Sequence, residues 1–217
     1  SGIAKEANII AIQVFSRSCE NCGLGAYNSD ITAALERVVK LSPSFNIASV
    51  NMSLGSNAPS NMSCDAKRPA MKAAIDNLRN IGIATIVSSG NGGSSTKIGI
   101  PACISTAVSV GSTDDGSCRN SSCTTQDSVS SFSNSSPLLD LLAPGKWITA
   151  SVPHKGEFQT MSGTSMSAPH VTGAWAVLKS KVPNASVEQV LSALTGTGKP
   201  IVDLRNGLSR PRIQVDG

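Results

Sequence analysis

Apolar residues along the chain form short continuous runs that alternate with stretches of helical spacing. Residues 30–41 and 65–80 place apolar side chains three and four positions apart, which predicts two amphipathic helices. Residues 8–15 form a nearly unbroken run rich in isoleucine, which predicts a strand buried on both faces. Further strands are predicted at residues 47–52, 83–87 and 107–110. Strands that alternate with helices indicate an α/β fold with a parallel sheet and right-handed crossovers.

Small polar residues follow two of the predicted strands. Residues 47–52 and 83–87 are each followed by a short segment, and these segments read Ser53-Leu54-Gly55 and Ser88-Ser89-Gly90-Asn91. In an open α/β sheet, ligands bind outside the carboxyl ends of the strands. Both segments are therefore expected at the ligand crevice.

Residues 163–171 read Gly-Thr-Ser-Met-Ser-Ala-Pro-His-Val and open a third predicted helix. Gly163 permits a tight turn and Thr164 can cap the helix, which places Ser165 in the first turn. Unpaired backbone N–H groups and the positive end of the helix dipole meet there, which suits a serine nucleophile whose reaction develops an oxyanion. Helix chemistry alone leaves an ordinary capped helix with a buried serine as an equal alternative.

Three blocks together resemble those of the subtilisin-like serine peptidases, in that family's order and approximate spacing. They are residues 163–170, residues 88–93 and residues 51–55. The likeness begins at residues 1–14 and weakens after Gly196. It implies a three-layer fold with a parallel sheet and a serine endopeptidase that works through an acyl-enzyme.

The resemblance also assigns roles residue by residue. It makes Ser165 the nucleophile and the Asn91 carboxamide an oxyanion donor beside the Ser165 backbone N–H. It makes Ser53, Leu54, Gly55, Ser88, Ser89 and Gly90 the walls, and Gly99 the floor, of the pocket for the side chain before the scissile bond. A glycine floor implies a preference for large apolar side chains. Without the serine block, Asn91–Gly92 is better explained as a turn.

The aspartate and histidine of the family's triad have no counterpart in the sequence. In the family they precede the segment that residues 1–14 resemble, and the two histidines here are His154, in a turn-like Pro/Gly setting, and His170, within the serine block. We therefore expect an N-terminally truncated domain that is inactive by itself. Its partners would be a polypeptide substrate and the missing N-terminal segment, and exposed sheet edges would favour a homo-oligomer.

The composition of the chain limits the number of domains and the kinds of partner. The 217 residues are 40% hydrophobic and 15% charged, which fits one domain, and residues 205–217 are expected to form a solvated tail. The net charge of +4 is spread along the chain and only 3% of residues are aromatic, which argues against a nucleic-acid partner. No apolar run is long enough to cross a membrane.

Six cysteines indicate disulfides and secretion. Local closure suggests the pairs Cys19–Cys22, Cys64–Cys103 and Cys118–Cys123, although 15 connectivities are open. Zinc is a weaker alternative, because only Cys19 and Cys22 have ligand-like spacing. Residues 112–137 are predicted to be a surface loop. No cofactor is required, and the Asp114–Asp115 pair is better explained as solvated than as a site for the structural calcium that the family often binds.

Two other functions compete with the endopeptidase. A non-catalytic module would use the same cleft to bind peptides without chemistry. An esterase or lipase usually shows Gly-x-Ser-x-Gly, and residues 163–167 lack the second glycine.

Overall fold

The computed structural model describes residues 2–17, 23–56, 60–119, 122–153 and 156–215. The helices are α1 Asn28–Leu41, α2 Pro69–Asn80, α3 Thr164–Lys181 and α4 Val187–Thr197, and a 3-10 turn spans Asp65–Lys67. The strands are β1 Ser16–Arg17, β2 Leu24–Gly25, β3 Ser49–Met52, β4 Ala84–Ser88, β5 Val108–Thr113, β6 Cys118–Arg119, β7 Ser122–Cys123, β8 Leu141–Pro144, β9 Ile148–Ser151, β10 Phe158–Met161, β11 Lys199–Val202 and β12 Ser209–Arg212.

A six-stranded sheet forms the centre of the fold, in the order β11–β12–β8–β5–β4–β3. Within this sheet, neighbouring strands run parallel along the series β12, β8, β5, β4 and β3, whereas β11 pairs antiparallel with β12. The carboxyl ends of β3 and β4 therefore lie side by side at one edge of the sheet. The α/β prediction with a parallel sheet is confirmed.

Helices cover both faces of this sheet. Alternate side chains of β4 point to opposite faces: Val87 packs in the cluster that contains α1 and α2, while Ile86 packs in the cluster that contains α3 and α4. Trp175 of α3 is fully buried in the second cluster. The three-layer arrangement implied by the resemblance is therefore confirmed.

The predicted strand at residues 8–15 is wrong for this chain. These residues form no strand pairing, and Ile9 is 90% exposed. A strand buried on both faces needs neighbouring strands and two covering layers. Within the described ranges none pairs with this segment, and β3 remains the last strand of the sheet.

Two segments expected at the surface are partly built into the fold. Within residues 112–137, Ser130, Ser133, Asn134, Ser135 and Ser136 are buried, and polar groups of Ser133, Asn134 and Ser135 bond to β5 and to neighbouring loops. Within residues 205–217, strand β12 joins the sheet and Ile213 is buried, so this part is not a tail. Over the described ranges, no helix is long and apolar enough to cross a membrane.

Two of the three predicted disulfides are confirmed. Cys64–Cys103 ties the 3-10 turn to the loop before β5, and Cys118–Cys123 closes the β6–β7 hairpin. The predicted Cys19–Cys22 pair lies outside the described residues.

Candidate active site

Ser165 is the second residue of α3 and lies beside the segments that follow β3 and β4. The helix begins after Gly163, whose N–H donates to the Gly145 carbonyl at 2.8 Å. Gly163 therefore takes the N-cap position expected for Thr164, and because glycine has no side chain, the N-cap residue itself makes no side-chain capping bond. Ser165 N–H is one of the first four amides of the helix, which have no acceptor within the helix.

The Ser165 hydroxyl is half-buried and faces Ser53. Its Oγ lies 3.5 Å from the Ser53 carbonyl oxygen, and the Ser53 hydroxyl donates to the Ser165 carbonyl at 2.7 Å. Asn51 Nδ2 donates to Ser53 Oγ at 3.0 Å and so orients it. The start of α3 is thereby joined to the end of β3.

The Asn91 side chain is bound to the first residue of the same helix. Its Oδ1 accepts from Thr164 N at 2.8 Å and from Thr164 Oγ1 at 2.9 Å. Thr164 Oγ1 in turn accepts from Gly90 N at 3.1 Å. With its oxygen held by Thr164, the carboxamide keeps its Nδ2 donors on the other side of the group, next to the helix N-terminus.

Asn134 holds the loop that carries Asn91, and sequence reasoning did not find this role. Its side chain is buried, and Oδ1 accepts from Gly92 N at 3.1 Å and from Ser94 N at 3.0 Å. Nδ2 donates to the Ser89 carbonyl at 3.1 Å. In the sequence, Asn134 stands out only as the first residue of an Asn-x-Ser glycosylation motif, because the groups it binds lie 40–45 residues away.

The segments expected to form the pocket walls are adjacent. The Ser88 hydroxyl donates to the Leu54 carbonyl at 3.2 Å, and Gly99 N donates to the Ser89 carbonyl at 2.8 Å. A Cβ on Gly99 would lie 3.2 Å from the Ser56 carbonyl and 3.4 Å from the Ser89 carbonyl. Gly99 therefore lies between the two segments. The remaining wall residues, Ser53, Gly55 and Gly90, line the same edge of the sheet.

Comparison with known families matches residues 1–210 to the subtilase family of peptidases. The chain belongs to the subtilase family. The family suggested by the three sequence blocks is thus confirmed, and the match includes β3, β4 and the start of α3, where the candidate site lies.

Several relatives resemble this subtilase over most of its length. It is 33% identical over 215 residues to the extracellular serine proteinase of Thermus sp. (strain Rt41A), which covers 98% of this chain and 46% of the relative. It is 30% identical over 205 residues to subtilisin DY of Bacillus licheniformis, which covers 93% of this chain and 65% of the relative. The chain therefore spans from about half to just under two thirds of the lengths of these relatives.

A solved structure has the same fold. The crystal structure of a cold adapted subtilisin-like serine proteinase superimposes with a TM-score of 0.77 at 26% identity, and the match covers 100% of this chain and 70% of that one. The subtilisin-like fold is confirmed over the chain as a whole.

The histidines of this subtilase do not supply a base in the described structure. His170 lies five residues beyond Ser165 on α3, and its Nδ1 is 2.7 Å from the Met166 carbonyl oxygen. His154 lies outside the described residues. In the described structure the Ser165 hydroxyl contacts the Ser53 carbonyl oxygen, and a carbonyl oxygen is not a general base.

Asp114 is buried and paired, and not solvated as expected. One carboxylate oxygen accepts from Ser130 Oγ at 2.6 Å, and the other lies 3.2 Å from Lys146 Nζ. Asp115 instead accepts from the Ser117 N–H. Each of the two carboxylates therefore has hydrogen-bond partners of its own, and across the described ranges no three His, Cys, Asp or Glu side chains gather as metal ligands.

The turn between β11 and β12 contacts the outer side of the Asn91 loop. Arg205 Nη1 donates to the Ser131 carbonyl at 3.1 Å, and Asn206 Nδ2 donates to the Ser95 carbonyl at 2.7 Å. Asp203 is buried and binds the Arg205 guanidinium. Burial raises the pKa of Asp203, but hydrogen bonds from Arg205 outweigh burial and lower the pKa overall.

Proposed function

We propose that this subtilase chain is the nucleophile-bearing part of a secreted serine endopeptidase, with Ser165 as the nucleophile. The observation that carries the proposal is the placement of the Ser165 hydroxyl in the first turn of α3, beside a carboxamide anchored to the same turn. A serine peptidase needs a nucleophile next to preorganised N–H donors. The names of the extracellular relatives and the two disulfides support secretion.

Two donors would stabilise the oxyanion of the tetrahedral intermediate. The Ser165 backbone N–H belongs to the first turn of α3, whose amides have no acceptor within the helix, and Asn91 Nδ2 adds a neutral donor from the neighbouring loop. Because Thr164 and Asn134 fix the loop before substrate arrives, little reorganisation is needed during the reaction. Each donor of this kind contributes about 10²–10³ in kcat.

The substrate would bind as an extended peptide beside residues 53–55 and 88–90. Main-chain hydrogen bonds to these segments would supply affinity, and the pocket floored by Gly99 would receive the side chain before the scissile bond. Gly99 removes the side chain that would otherwise occupy that space. Within the two wall segments there is no charged residue, which supports a preference for large apolar side chains.

The general base and its orienting acid would come from a polypeptide segment that carries the family's Asp and His. In the described structure the outer edge of β3 is unpaired, and residues 8–15 expose Ile9, Ile10 and Ile12. A strand that docks on the β3 edge would pair its free backbone groups. Without it, the oxyanion donors alone would retain only about 10³–10⁴ over the uncatalysed rate. The chain by itself would then be essentially inactive.

The alternative is a peptide-binding module without chemistry. The environment of the Ser165 hydroxyl favours this binding module, because within the described structure the hydroxyl contacts the Ser53 carbonyl and no base. A structural calcium ion elsewhere in a complete domain is compatible with either function, but the described carboxylates argue for no particular site.

A reconstitution assay separates these two functions. The chain is assayed alone and together with a segment that bears the family's Asp and His, using chromogenic peptides with a large apolar, an acidic or a basic residue before the scissile bond. We expect hydrolysis only in the complex, fastest for the apolar peptide and abolished by Ser165→Ala. A complex that binds peptide but does not cleave it would support the binding module and contradict the endopeptidase.

A further inference from the structure

Asn91, the proposed oxyanion donor, is followed by Gly92, and an asparagine before a glycine can react with the backbone of its own chain. Asn91–Gly92 is one of two Asn–Gly dipeptides in the chain, the other being Asn206–Gly207. In such a pair the backbone nitrogen of glycine can attack the asparagine Cγ, because glycine has no Cβ to obstruct the approach. The Asn91 side chain is exposed, so water reaches the reacting group.

Both reacting groups are held by separate parts of the fold. Gly92 N donates its hydrogen to Asn134 Oδ1 at 3.1 Å, while Asn91 Oδ1 is fixed by two bonds from Thr164. The Gly92 nitrogen must lose this hydrogen and turn toward Cγ before it can attack. Both steps require the bond to Asn134 to break.

Asn134 is well placed to resist that opening. Only 4% of it is exposed, and its Oδ1 also accepts from Ser94 N at 3.0 Å. Its own backbone N donates to the Gly90 carbonyl at 2.9 Å. One buried residue therefore holds the loop on both sides of the Asn91–Gly92 bond.

We propose that Asn91–Gly92 is a latent deamidation site and that Asn134 suppresses the reaction. The Gly92 nitrogen loses its proton and forms a bond to Asn91 Cγ, the Cγ–Nδ2 bond breaks, and ammonia leaves. Water then opens the cyclic imide to aspartate or isoaspartate. The overall reaction consumes one water and releases one ammonia, with no oxidation or reduction.

The consequence for activity rests on the proposed function. A carboxylate at position 91 has no N–H to donate, and its negative charge repels the developing oxyanion. Isoaspartate would in addition lengthen the backbone of the loop. Deamidation at this one residue would therefore inactivate the enzyme irreversibly.

Peptide mapping by mass spectrometry tests the proposal without any need for catalysis. The full chain is incubated at mildly alkaline pH, and the rate of amide-to-acid conversion is followed at Asn91 and at Asn206. Asn206–Gly207 is an internal comparison, because Gly207 N donates to the Asp203 carbonyl at 2.7 Å and not to Asn134, although the Asn206 side chain binds Ser95 and Ser135 near Asn134. We expect Asn134→Ala to accelerate conversion at Asn91 by about tenfold or more, the factor that corresponds to ~1.4 kcal/mol of lost protection. The rate at Asn206 should rise less than the rate at Asn91, because Asn134 does not bind Gly207 N.

Adding Gly92→Ala to the Asn134→Ala variant should slow the reaction again, because a Cβ hinders ring closure. Equal acceleration at both asparagines, or none at Asn91, would overturn the proposal.

A comparison that needs no variant covers the case in which Asn134→Ala fails to fold. Wild-type chain should convert Asn91 more slowly when native than in denaturant, and equal rates would also overturn it. These readouts do not depend on whether Ser165 is a nucleophile.

Discussion

Gly145 lies against the start of α3, and replacing it by alanine should displace the helix end that carries Ser165. A Cβ at this position would lie 2.5 Å from Ser112 Oγ and 2.8 Å from the Gly163 carbonyl oxygen, and it would overlap Ser167 Oγ. Real Cβ atoms essentially never come closer than 3.0 Å to a neighbour. Because two of the three neighbours belong to the first turn of α3 and its N-cap, part of the displacement must fall on that turn.

The magnitude follows from overpacking of a buried site. Gly145→Ala is expected to lower the free energy of unfolding by about 1–3 kcal/mol. Ser167 Oγ is buried and has no hydrogen-bond partner in the described structure, so Ser167→Ala alone should change stability by less than about 1 kcal/mol. In the double variant the worst overlap is absent. The two substitutions should therefore couple by about 1 kcal/mol or more.

Urea unfolding of the wild type, both single variants and the double variant measures this coupling. Gly196→Ala is the matched control, because Gly196 lies in α4 with no atom near the added methyl group. That substitution should stabilise the chain by up to about 1 kcal/mol. Additive effects at Gly145 and Ser167, or a Gly145→Ala variant as stable as the control, would refute the packing described here.

Three further predictions concern the oxyanion loop and the exposed edge. In the reconstituted enzyme, Asn91→Leu should lower kcat by about 10²–10³ with little change in KM, and a loss below about tenfold would argue against its role. At pH values above 3.8, the ordinary pKa of an aspartate, Asp203→Asn should have a lower free energy of unfolding than the wild type. Acid unfolding experiments should show this stability difference vanish below the lowered pKa of folded Asp203, and a stability difference that grows in acid would contradict the ion-pair explanation. The exposed isoleucines of residues 8–15 and the open β3 edge should make the isolated chain associate, and a monodisperse monomer in light scattering would speak against this.

Local patterns in the sequence predicted three of the six strands of the described central sheet and three of its four helices, but not β8, β11, β12 or α4. The apolar spacing of residues 30–41 anticipated α1, the run at 83–87 anticipated β4 to within one residue, and the run at 107–110 anticipated the first half of β5. Such patterns work where a segment's own neighbours bury it. Residues 8–15 show where local patterns fail. Their apolar pattern is typical of a buried strand, but within the described residues no strand pairs with them.

The candidate site was predictable only in part for a similar reason. The three blocks drew attention to Ser165 and Asn91 because each stands in a short local motif. Asn134, Arg205 and Asn206 act across distances of 40 to 112 residues in sequence, and nothing in their local sequence reports those bonds. The sequence analysis places Arg205 and Asn206 in a solvated tail, because basic residues cluster near this chain end and such segments usually are solvated.

Covalent labelling tests the central claim most directly. An organophosphorus fluoridate reacts with an activated serine, and peptide mapping identifies the residue that carries the adduct. With the base-bearing segment present, the account predicts an adduct on Ser165, none on the buried Ser167, and none at all in the Ser165→Ala variant. An adduct on a different serine, or an unlabelled Ser165 in a folded complex, would contradict the claim that Ser165 is the nucleophile.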